Sequence, residues 1–68
     1  MVTFKLEGEF IHLIQLLKAT DAVSSGGEAQ MVVSQGLVKH NGLTDYRKRL
    51  KVKKGDVVTF NNHSIKII

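Results

Sequence analysis

An Asn-Gly pair at positions 41 and 42 stands between two short β-prone runs, Leu37-Val38-Lys39-His40 and Leu43-Thr44. A type I′ turn needs two consecutive residues at positive φ, which asparagine and glycine tolerate best, so this stretch is committed to a two-residue β-hairpin. The turn fixes the register: Lys39 falls opposite Thr44, and Val38 opposite Asp45. A lone hairpin is marginal in water, so the rest of the chain must supply elements that cover one of its faces.

The flanking segments supply them. Val2, Phe4 and Leu6 alternate with Thr3 and Lys5, which predicts a strand over 2–6. From Phe10 the period lengthens, with Phe10, Leu13, Ile14 and Leu17 at i, i+3, i+4 and i+7, and this predicts an amphipathic helix reaching about Thr20. His12, Gln15 and Lys18 take its other face. A second helix is predicted after Ser24-Ser25-Gly26-Gly27-Glu28, where Ser25 and Glu28 have the spacing of a capping box. Ala29, Val32 and Val33 carry its apolar stripe, and Gly36 suits the left-handed position that closes a helix.

Beyond the hairpin, Arg49-Leu50-Lys51-Val52-Lys53 alternates again with Leu50 and Val52 inward, and Lys54-Gly55-Asp56 reads as a turn. Val57–Phe60 and Ser64–Ile68 form a final hairpin around Asn61-Asn62-His63. Phe4, Phe10 and Phe60 are assigned to the core. The expected class is α+β, with two short N-terminal helices packed on a small antiparallel or mixed sheet.

At 68 residues the chain has room for one domain, residues 1–68. It has no cysteine, so neither a disulfide framework nor a thiolate metal site is available. The first nine residues alternate and carry acids, unlike a signal peptide, and no window approaches a membrane span, so a soluble cytoplasmic monomer is expected. His12, His40 and His63 fall on three different predicted elements without metal-ligand spacing, and no nucleophile motif is present. No enzymatic activity, metal, cofactor or small-molecule substrate is therefore expected.

Charge is where the sequence turns towards function. The formal net charge is +4, but Lys39, Arg47, Lys48, Arg49, Lys51, Lys53 and Lys54 all lie between positions 39 and 54, against Asp45 alone. The remainder of the chain is net acidic. One basic segment on a neutral-to-acidic body is the footprint of a polyanion binder. If the strand extends far enough, Arg47, Arg49, Lys51 and Lys53 form a row of cations spaced by about 6.6 Å, close to the phosphate repeat. A lysine-rich solvated face gives a similar run, but here acids are segregated away and two cations are arginines, whose planar fork matches phosphate oxygens. Gly26-Gly27 at a helix start offers backbone N–H groups to an anion, or simply makes the turn that Ser25 and Glu28 cap. Tyr46 is placed either to stack on a base or to cover the core rim.

The order of a helix, a Ser-Gly-Gly-Glu-Ala helix start, a Gly36-x-Val38-x-x-Asn41-Gly42 hairpin, a basic strand and a Gly55-Asp56 turn resembles the S-four-type RNA-binding domain. The likeness covers about residues 10–60 and is nearest to the short stand-alone bacterial members. The resemblance implies an alpha-L motif, two helices on a small sheet, binding structured ribosomal or transfer RNA, with association with the ribosome among the roles it implies. By position it assigns RNA contacts to Ser25, Gly26, Gly27, Glu28 and Gln30 at the second helix and to Lys39, Asn41, Arg47, Lys48, Arg49 and Lys51 on and after the hairpin. Tyr46 and Lys53 join this set from the charge and stacking arguments above. Many members have Ser-Arg where this chain has Ser25-Gly26, and the commonly apolar hairpin position is His40. No catalytic domain is expected beside the module. The competing reading is an adaptor that docks an acidic protein. Double-stranded DNA is a third, since phosphate contacts alone do not distinguish the sugar.

Overall fold

The hairpin forms as its turn chemistry requires: in the computed structural model, which describes residues 1–68, Asn41 and Gly42 have φ of 52° and 86°. Lys39 pairs with Thr44 and His40 with Leu43, and the Asp45 N–H donates to the Val38 carbonyl at 3.1 Å. In chain order the elements are β1 (Val2–Phe4), β2 (Ile11–His12), α1 (Leu13–Ala19), α2 (Gly26–Ser34), β3 (Val38–His40), β4 (Leu43–Thr44), β5 (Lys51–Val52), β6 (Val57–Phe60) and β7 (His63–Ile67).

Five strands make one mixed sheet in the order β1-β7-β6-β3-β4, with β1 parallel to β7 and the other neighbours antiparallel. Its apolar face carries Val38, Val58, Phe60, Ile65 and Ile67, which pack against Leu13, Leu16 and Leu17 of α1 and Ala29, Val32 and Val33 of α2. Every buried side chain is apolar. Truncating one of these fully buried leucines, Leu16 or Leu17, to alanine costs about 2–5 kcal/mol, a large share of what so small a domain has. No helix is long and apolar enough to cross a membrane.

At α2 the capping arrangement differs from the expected box in one partner. Ser25 is the N-cap and its Oγ accepts from the Glu28 N–H at 3.1 Å, but the Glu28 carboxylate reaches past it to Ser24, accepting from its N–H at 2.7 Å and its Oγ at 2.8 Å. Those two bonds hold the Glu28 carboxyl below its ordinary range, the backbone bond contributing most. Gly36 closes the helix at φ 74°, a conformation that side chains with a Cβ rarely adopt.

Two expectations need correction. The helix predicted from Phe10 begins at Leu13, because Ile11 and His12 pair instead with Val52 and Lys51 in a separate two-stranded ladder. His12 provides no side-chain cap for α1, and the Leu13 and Ile14 N–H groups donate to the carbonyls of Leu50 and Lys48, at 2.9 and 3.2 Å. The unpaired donors of a helix start thus recruit the backbone of the basic segment. As a result Phe10 is not in the core; it is 38 % exposed, whereas Phe60 is buried and Phe4 packs partly against the core.

The second correction concerns the basic strand, which is only Lys51–Val52 long. The chain turns immediately before it, where the Leu50 N–H donates to the Arg47 carbonyl at 3.2 Å. Leu50 and Val52 do point inward, at 9 % and 0 % exposure. The turn is what lets Leu50 enter the core while Lys48 and Leu50 offer their carbonyls to α1. A straight row of cations from Arg47 is therefore not formed.

Candidate nucleic-acid interface

The turn gathers the cations instead of stringing them out. Arg47, Arg49, Lys51 and Lys53 line one open hollow of about 460 Å³, floored by Leu50, with no acidic residue in its lining. All four side chains are exposed, so they keep their hydration until a ligand displaces it. A concave group of cations focuses potential more strongly than the same charges on a flat strand.

One of the four is already engaged. Asp45 takes both arms of the Arg47 guanidinium, with Nε to Oδ1 at 3.0 Å and Nη2 to Oδ2 at 2.7 Å, and also accepts from the Arg47 N–H at 2.9 Å. The guanidinium bond outweighs burial and holds the Asp45 carboxyl below its ordinary value, while Arg47 is raised in return. Arg49, Lys51 and Lys53 have no carboxylate partner. Asp45 therefore both orients Arg47 and competes for it.

Other residues assigned from the sequence fall elsewhere. Lys39 lies on the exposed face of the sheet, beside Thr44 and Thr59 across the strands, and lines a second hollow of about 150 Å³ with Leu37, Thr59, Phe60 and Asn61. Lys48 is exposed at the turn that ends in Leu50, its carbonyl bound to α1. Ser25, Gly26, Gly27, Glu28 and Gln30 sit at the start of α2, and no hydrogen bond, ion pair or shared hollow joins them to the cations. The Glu28 carboxylate turned back over that start adds negative charge beside the free amides.

Tyr46 is 64 % exposed, with its hydroxyl end over Gly36; a Cβ built at Gly36 would stand 2.8 Å from the Tyr46 Oη. The glycine therefore serves two purposes, a left-handed cap and room for the ring.

Asn41 is committed to the fold. Its Oδ1 accepts from the Val57 N–H at 2.8 Å, and its Nδ2 donates to Asp56 Oδ1 at 3.3 Å. The other Asp56 oxygen accepts from the Lys53 N–H at 2.9 Å and faces His40 Nε2 at 2.9 Å. Desolvation pushes the Asp56 carboxyl up, but the bonds from His40, Lys53 and Asn41 outweigh it and hold the group below its ordinary value. This brace ties the β3–β4 turn to the segment that delivers Lys53 to the hollow.

Sequence reasoning missed two residues at the hollow's edge, Phe10 and His12. The Lys51 ammonium lies 4.9 Å from the centroid of the Phe10 ring, and the Phe10 and His12 rings are 5.4 Å apart and tilted by 34°. A signal was present in the sequence: Phe10 and His12 flank Ile11 at period two, which puts the two rings on one face of a short strand and Ile11 on the other.

Two helices on a mixed sheet, joined through a tight hairpin to a cation-lined turn, give the chain the architecture of the alpha-L motif. The model of the S4 domain family matches residues 4–68. YbcJ of Escherichia coli K12 is 35 % identical over 69 residues, covering 100 % of this chain and 99 % of that protein. YbcJ of Shigella flexneri gives the same figures. The solution structure of the Escherichia coli protein, described as revealing an alpha-L motif involved in RNA binding, superposes with a TM-score of 0.78 over 100 % of this chain and 87 % of that one. The 30S ribosomal protein S4e of Thermoplasma acidophilum superposes with a TM-score of 0.64 at 27 % identity, over 85 % of this chain and 31 % of that larger one. The chain belongs to the S4 domain family.

Proposed function

We propose that this protein binds structured RNA through its phosphate backbone, with the hollow lined by Arg47, Arg49, Lys51 and Lys53 as the principal contact. The observation that carries the reading is the convergence of four cations on one concave surface that no acid lines. Membership of the S4 family and the RNA-binding alpha-L motif described for YbcJ support RNA as the polyanion. The likeness to a ribosomal protein supports ribosomal RNA as a first class of target, with transfer RNA the second. The protein acts as a cytoplasmic monomer without catalysis, metal or cofactor.

Engagement of about four phosphates makes log K fall with log salt at a slope of roughly −3 to −4. Binding to a folded ribosomal RNA fragment, measured across a salt series, tests this with Arg49, Lys51 and Lys53 changed together to alanine. The expected result is a slope reduced by about 2–3 and weaker binding at every salt concentration. An unchanged slope removes the hollow from the interface.

A further inference from the structure

We infer that Phe10 and His12 form a seat for an unpaired nucleobase at the rim of the cation hollow, so that the preferred ligand is RNA with a bulged or junction nucleotide rather than a continuous duplex. The inference rests on the RNA-binding reading and names the kind of RNA that this same site takes.

A domain with a single small core would ordinarily bury a phenylalanine. Phe10 is instead 38 % exposed and outside the buried cluster. Its ring lies beside the His12 ring and under the Lys51 ammonium. The β2–β5 register sets His12 directly opposite Lys51, and continuing it by one residue sets Phe10 level with Lys53. Because cross-strand partners and residues two apart share a face of a strand pair, Phe10, His12, Lys51 and Lys53 present together on one side. Lys51 and Lys53 also line the hollow. Two flat π-surfaces therefore adjoin the cations within one nucleotide's reach.

That combination matches a splayed nucleotide: the phosphate in the hollow, the base against the rings. Lys51 occupies a cation–π position over Phe10, a ring that is 38 % exposed. Its flexible stem lets the ammonium swing to a phosphate as a base takes its place. A paired base inside an A-form helix presents no face to these rings, so the seat discriminates by unstacking, as single-strand readers do.

The test uses two RNA hairpins of equal length and charge, one fully paired and one with a three-adenosine bulge carrying 2-aminopurine, together with Phe10→Leu and His12→Ala. The wild type should bind the bulged hairpin more tightly and quench 2-aminopurine on binding. Phe10→Leu should weaken the bulged complex by about ten-fold, the order expected for one lost base stack, and abolish the quench. It should change the paired complex by less than two-fold, keep the salt slope and largely keep the wild-type melting temperature, since the ring is no member of the buried core. Equal loss on both hairpins, or no loss and no quench on either, overturns the seat while leaving phosphate binding intact. Failure of the wild type to bind either hairpin at low salt overturns the RNA reading itself, and the seat with it.

Discussion

Replacing Asp56 with alanine removes one carboxylate that joins three chain segments: the β3–β4 turn through Asn41, β3 through His40, and the entry to the 53–56 turn through the Lys53 N–H. Each neutral hydrogen bond contributes about 1 kcal/mol and a charge-assisted one about 1.5–3 kcal/mol. The Asp56 and His40 side chains are 21 % and 20 % exposed, so water recovers part of the loss. The net expectation is a destabilisation of about 2–3 kcal/mol, which in a domain of this size lowers the melting temperature by roughly 8–24 °C.

The pH dependence gives the prediction its discriminating power. The folded protein holds the Asp56 carboxyl below its unfolded value, so its contribution is complete above the ordinary carboxylate range, near about pH 4, and is lost as pH falls through the folded value. Thermal unfolding followed by circular dichroism should therefore show a large gap between wild type and variant at neutral pH that narrows in acid. A double-mutant cycle with His40→Ala should give a coupling of about 0.5–3 kcal/mol. A melting temperature lowered by less than about 3 °C, or a gap that stays constant into acid, refutes the brace.

Three further outcomes follow from the geometry. Asp45→Asn should free the Arg47 guanidinium, tighten RNA binding at low salt and steepen the salt slope by about one unit, read in the same salt titration. Gly36→Ala should cost about 1–2 kcal/mol from its left-handed φ, and more from the Tyr46 ring; in urea unfolding, adding Tyr46→Ala should return only the second part. Ser25→Ala should lower stability by about 1 kcal/mol through loss of the α2 cap, visible as faster amide exchange in the first turn of α2.

What the residues disclose in advance depends on how local the cause is. The Asn41-Gly42 turn, the Ser25 cap and the Gly36 closure each depend on the conformational preference of one or two residues, and each forms where expected. Phe10 fits a helical stripe with Leu13, Ile14 and Leu17 just as well as it fits a strand with His12, and only the partner forty residues away, at Lys51 and Val52, decides between them. The parallel pairing of β1 with β7 likewise joins the two ends of the chain, a choice no local period encodes. Around the hollow, the cluster of cations was legible from charge segregation. Their arrangement around a hollow was not, because it follows from two carbonyls answering the free donors of α1.

Those two carbonyls, of Lys48 and Leu50, belong to the main chain, and the side chains of residues 48, 49, 51 and 53 make no hydrogen bond or ion pair that holds the loop they anchor. Cations at these positions can be exchanged without removing the main-chain bonds that carry the loop, so a substitution there changes the charge of the hollow and leaves its scaffold standing.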